Sequence, residues 1–205
     1  MRTLTALFDR QISKQTTMGV TIHYRGKLRN PADIQPLTDE LIDICKSAGW
    51  KYRQLNFPDP EPGDEPFSGL TIQPHPQSES IWMLFNERGE LSHPFGYDME
   101  DGSLPWSFTK TQFAGADTHI AICRLFRYLE KQWFETFEVR DETNYWVTGD
   151  ERHLRATLDY LDDAITTVDE ELKLALDNTG APLDERLAGI LKRFWDRRKP
   201  PGVVE

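Results

Sequence analysis

Cysteine is scarce in this chain: 205 residues contain two, Cys45 and Cys123. Two thiols cannot build a disulfide framework, nor supply four ligands to a structural zinc. Both fall inside amphipathic helical patterns, so they are expected as buried free thiols in a reducing compartment. Long apolar runs are also missing. None approaches the roughly eighteen residues that a membrane-spanning helix needs. Positive charge is in deficit, with 24 Lys and Arg against 34 Asp and Glu and a net charge of −10. So acidic a surface repels phosphate backbones, which argues against general nucleic-acid binding. No cofactor motif occurs, and neither G-x-S-x-G nor G-x-x-x-x-G-K-[ST] is present. The five histidines are dispersed without an HxH, HExxH or HxxxH pair, so no resident metal is expected from their spacing. The best pairing from separate segments is His23 with His75. The first residues, MRTLTALFDRQISKQTT, lack the continuous apolar stretch of a secretory signal. A cytoplasmic location is the expectation.

What the chain does contain is a globular mix of 38% hydrophobic and 11% aromatic residues, enough for a sizeable core. Ordered patterning starts at Met18. Residues 1–17 therefore read as an extension, and Met18 as an alternative start to Met1. From Val20 to Leu28 apolar and polar residues alternate, with Val20, Ile22 and Tyr24 on one side and His23, Arg25 and Lys27 on the other. That is a half-buried strand. Asn30 and Pro31 supply an N-cap and an N1 proline. Leu37, Leu41, Ile44 and Ala48 recur at helical spacing, and Gly49 ends the helix. WKYRQLN, GLTIQ and SIWMLFNE read as strands, and ERGEL as a tight turn into another. Residues 56–66 and the HPFGYDMEDGSLPW segment read as loops.

A second round follows. SFTKTQF reads as a strand and GADTHIAICRLFRYLEKQWF as a helix capped by Asp117. TFEVRD and YWVTG read as strands. An offset of 85 residues superposes Leu37 on Ile122 and Leu41 on Phe126. It also superposes Arg25 on Lys110 and Lys27 on Gln112. This suggests a β-α-β-β duplication, with repeats at 18–92 and 105–149. Thr148 and Glu151 form a T-x-x-E capping box for a third helix. Its apolar positions Leu154, Leu158, Leu161, Ile165, Val168 and Leu172 make a short heptad-like seam. A last helix reaches the basic cluster ending at Lys199, and 200–205 form a tail.

The expected fold is α+β. A mostly antiparallel sheet domain at 18–149 carries helices on one face, with C-terminal helices at 150–199 packed on it. A duplicated sheet of this kind resembles the folded sheets of TATA-box-binding-protein-like and helix-grip architectures, a resemblance of architecture only. The helix-free face would gather His23, Arg25, Lys27, Thr71, Gln73, His75, Lys110 and Gln112. Such a face suits an anionic small molecule or protein partner through charge-assisted hydrogen bonds. The functional expectation is a binding protein using Arg25, Lys27, Gln73, Lys110 and Gln112. One alternative is a small-molecule hydrolase or transferase, metal-assisted or not, with His23, His75 or His119 as acid–base group. Another is a structural partner, or a homodimer, held through 150–199. Trp82, Phe95, Tyr97, Trp106 and Phe108 are candidate pocket walls, and Phe85 is expected in the core.

Overall fold

A computed structural model of the chain describes residues 20–57, 66–92 and 103–177, with Gly189 beyond them. The chain divides into two compact units, Met1–Leu158 and Asp159–Glu205. The fold is α+β, with two antiparallel sheets and four helices among the described residues. No described helix is long and apolar enough to cross a membrane.

In the first unit, strand β1 (Thr21–Leu28) is central to sheet 1, flanked by β6 (Ser107–Lys110) and β7 (Phe134–Asp141). Its strict alternation buries Ile22, Tyr24 and Leu28. Sheet 2 runs in the order β2 (Lys51–Phe57), β3 (Phe67–Gln73), β4 (Ile81–Asn86), β5 (Leu91–Ser92). The inner side of its two middle strands buries Leu70, Ile72, Ile81, Met83 and Phe85.

Each sheet has its own helix. Helix α1 (Ile34–Ala48) packs on β2 and β3 and buries Leu37, Leu41 and Cys45. A 3₁₀ turn at Pro31–Asp33 precedes it, with Asn30 Oδ1 accepting from the Ala32 N–H at 3.1 Å. Gly49 closes it at φ 69°, the left-handed conformation that glycine adopts without penalty. Helix α2 (Gly115–Gln132) packs on β7 and buries Ile122, Cys123, Phe126 and Leu129. Its N-cap is Ala114 rather than Asp117, which instead pairs with Arg155 at 2.6 Å.

The two sheets are stitched together by hydrogen bonds. The Tyr24 hydroxyl accepts from the Trp82 N–H at 2.7 Å and donates to the Trp82 carbonyl at 3.1 Å. The Leu28 N–H donates to Gly89 O, and the Glu79 N–H donates to Lys110 O. Within sheet 2, Gly69 has φ 141°, and a Cβ there would lie 2.0 Å from Met83 O. Only glycine fits that approach.

YWVTG is not a strand. Tyr145–Thr148 form the short helix α3. The second half therefore runs β-α-β-helix, without the last strand that the β-α-β-β duplication requires. Helix α4 (Glu151–Asp177) is capped by Asp150 and not by Thr148. Asp150 Oδ1 accepts from the N–H groups of Arg152 and His153 at 3.0 and 3.1 Å. Along the heptad-like seam, Leu154 and Leu158 are buried. Beyond them, in the second unit, Leu161, Val168 and Leu172 are half-buried and Ile165 is exposed. Apart from Gly189, the last predicted helix and its basic cluster lie outside the described residues, as do His93, Phe95 and Tyr97.

Candidate functional site

The outer face of sheet 1 carries the predicted cations. His23, Arg25 and Lys27 alternate outward from β1, and the β1–β6 register sets Lys110 across from Thr21 on the same side. Three of these groups already face carboxylates. Arg25 makes a two-pronged contact with Glu138, at 2.9 and 3.0 Å. Its guanidinium also lies 4.5 Å over the Trp106 ring, which Arg140 covers at the same distance. Lys27 Nζ faces Glu90 at 3.5 Å, and His23 Nε2 faces Glu142 at 3.9 Å. Strand β7 brings Glu138 opposite Arg25 in register, so the chain supplies its own anions. Lys110 is half-buried, and its main chain pairs with Glu79.

Gln112 lies elsewhere. Strand β6 ends at Lys110, and Gln112 is buried in the turn beyond it, with Oε1 lacking a hydrogen bond among the described residues. Thr71 and Gln73 do face outward, but on sheet 2, because the neighbours of β1 are β6 and β7 and not β3. His75 lies past the end of β3, in a turn, where its Nδ1 accepts from the Gln77 N–H at 3.1 Å. Gln73 holds this turn. Its Nε2 donates to the His75 and Ser78 carbonyls, and its Oε1 accepts from Ser80.

Sequence reasoning read β2 as a strand but placed no site residue on it. It is an edge strand, exposed or half-buried along its whole length. Its register pairs Lys51 with Gln73 and Arg53 with Thr71. These residues line an open cleft of about 390 Å³ together with Tyr52, Pro76 and Ser80. Neither Lys51 nor Arg53 has an ion-pair partner among the described residues. The signal was available, since KYRQLNF holds two cations and no acid. An apolar hollow of about 400 Å³ lies between α1 and α2, lined by Ile44, Trp50, Ala121 and Leu125. Its polar groups are spent on each other, with Glu40 taken by Tyr128 and Trp133.

The third place is interior. His119, in the first turns of α2, is fully buried, with Nδ1 2.8 Å from Thr111 Oγ1. Its Nε2 is 3.3 Å from Asp141 Oδ2, yet makes no well-aligned hydrogen bond among the described residues. The Asp141 carboxylate, also fully buried, accepts from the N–H groups of Thr143 and Trp146 and from the Thr143 hydroxyl. Burial works to raise the Asp141 carboxyl, but the facing His119 and these donors outweigh it and hold it low. One helical turn from His119 lies Cys123, whose thiol is pushed up to about 12 by burial and by the Asp141 charge. Burial likewise pushes the Cys45 thiol up to about 11. Neither thiol is activated as a nucleophile. Of the three predicted acid–base histidines, His23 is at the surface, His75 in a turn and His119 inside the core, so the fold does not bring them together.

Compared with known proteins, the chain matches no protein-family model, no curated protein and no solved structure.

Proposed function

We propose that the protein is a binding module for small anionic ligands bearing carboxylate or phosphate groups, and that these seat on the outer face of sheet 2. One observation carries the reading. Lys51 and Arg53 project on the same side of an edge strand, beside Thr71, into a cleft of about 390 Å³, and neither is spent on a described carboxylate. Same-face residues of a strand sit about 7 Å apart, so two cations can grip two anionic groups of one ligand. Arg53 adds a planar fork for bidentate contact, and the Thr71 hydroxyl opposite it adds a donor. In a chain of net charge −10, Lys51 and Arg53 stand side by side without an ion-pair partner among the described residues. The expected Arg25 and Lys27 contribute less here, because Glu138 and Glu90 already neutralise them.

The test is a thermal-shift series with pyrophosphate and citrate. A ligand at about 100 times its dissociation constant stabilises the native state by about 2.7 kcal/mol. The wild type should shift, and the Lys51→Ala/Arg53→Ala double variant should lose most of that shift. Arg25→Ala should keep it. Equal shifts in wild type and double variant would sink the proposal.

A second reading rests on helix α4. Beyond Leu158 its apolar seam is only partly covered, with Ile165 40% exposed. Such a seam suits pairing with a second copy of the helix. Light scattering should then report a dimer that Ile165→Lys dissociates, and a monomer at high concentration would count against it.

A further inference from the structure

We propose that His119, Cys123 and Asp141 form a buried three-ligand site for one divalent cation of the zinc class. One ring nitrogen of His119, the Cys123 sulfur and a carboxylate oxygen of Asp141 all lie within 4.8 Å of one another. All three side chains are fully buried. The helix and the strand explain the convergence. Residues 119 and 123 are one turn apart on α2 and so share a face. Asp141 is the last residue of β7, against which α2 packs.

The surroundings resemble the outer shell of a metal site. A ligating histidine commonly anchors its other ring nitrogen on an oxygen, which fixes the ring and the tautomer. Here Thr111 Oγ1 holds Nδ1 at 2.8 Å, which leaves Nε2 for the ion. That Nε2 is fully buried and, among the described residues, meets the Asp141 carboxylate without an aligned hydrogen bond, an uncommon condition for a polar atom in a protein core. The carboxylate is oriented in turn by Thr143 and by the Trp146 N–H. The separation of 3.3 Å between Nε2 and Oδ2 suits two neighbouring ligands, each about 2 Å from a shared tetrahedral ion.

Ligand chemistry narrows the ion. A thiolate with an imidazole and a carboxylate favours zinc, whereas calcium and magnesium take oxygen ligands. Thiolate and carboxylate together cancel the charge of a divalent ion, so the filled site is neutral in the core. On binding, the thiol proton is released to solvent and the sulfur–metal bond forms. One tetrahedral position remains for water.

The experiment uses the full-length chain, purified without a metal-affinity tag from zinc-supplemented medium. Elemental analysis should find roughly one zinc per chain. After chelation, cobalt(II) added to the wild type should produce a thiolate-to-cobalt charge-transfer band in the near ultraviolet. The Cys45→Ser variant should keep that band and Cys123→Ser should lose it. Wild-type protein that stays folded yet holds no metal and gives no cobalt band would overturn the site. So would a band that survives in folded Cys123→Ser. Because the wild type alone gives two readouts, a core variant that fails to fold does not rescue the proposal.

Discussion

Tyr24 combines packing with a polar stitch. Its ring is buried against Phe126, with centroids 4.7 Å apart, while its hydroxyl satisfies both main-chain groups of Trp82. Burial pushes its ionisation well above the ordinary tyrosine value, so the hydroxyl stays protonated as a donor. Tyr24→Phe keeps the ring and strands a part-buried N–H and C=O between the sheets. It should cost about 1–3 kcal/mol in urea unfolding at neutral pH. A loss below the measurement error would mean that the two sheets do not depend on this stitch. The sequence made Tyr24 legible as inward-facing through the parity of β1. Its hydrogen-bond partner was not legible, because no local pattern announces an atom 58 residues away.

At the scale of elements, the strongest periodicities translated well. The alternation of β1 and the helical spacing of α2 appear as the expected burial, whereas in α1 Leu37 and Leu41 are buried, Ile44 is half-buried and Ala48 is exposed. Failures occurred where short polar side chains compete for the backbone. YWVTG has the composition of a strand, yet Asp141 binds the N–H groups of Thr143 and Trp146 and curls the chain into α3. Asn144 and Gly149 then bracket that helix in left-handed conformations. The same competition gives the start of α4 to Asp150 rather than Thr148.

The hairpin from β4 to β5 is locked in a comparable way. Asn86 Oδ1 accepts from the Arg88 and Glu90 N–H groups, and Glu90 binds Asn86, Arg88 and Lys27. Burial works to raise the Glu90 carboxyl, but these donors and the nearby cations outweigh it and hold it below its ordinary value. A carboxyl lowered by folding stabilises the native state above its unfolded value, and that contribution is lost as pH falls through the folded one. Glu90→Gln should therefore lower the melting temperature at neutral pH. The gap between variant and wild type should close in acid, at and below the ordinary carboxylate range. A gap of constant size across the titration would contradict this account of the hairpin.

For the molecule as a whole, charge placement matters more than charge count. The sequence predicted one cationic face, and the side-chain parity of His23, Arg25, Lys27, Thr71 and Gln73 was right. Parity, however, does not say which strands become neighbours. That pairing is long-range, and it set Glu138 beside Arg25 and put Lys51 and Arg53 beside Gln73 and Thr71. The ion pairing of Arg25 and the open cleft thus follow from the same topology. His119, Cys123 and Asp141 were legible only in part. The four-residue step from 119 to 123 was visible, but Asp141 enters through the fold.

A two-dimensional amide NMR titration with pyrophosphate tests anion binding in the cleft beside β2 most directly. The account predicts saturable shifts at Lys51 to Arg53, Thr71 to Gln73 and the 74–80 turn, abolished in Lys51→Ala/Arg53→Ala. Shifts confined to β1 and β7 around Arg25 and Arg140, or no saturable shift at all, would contradict it.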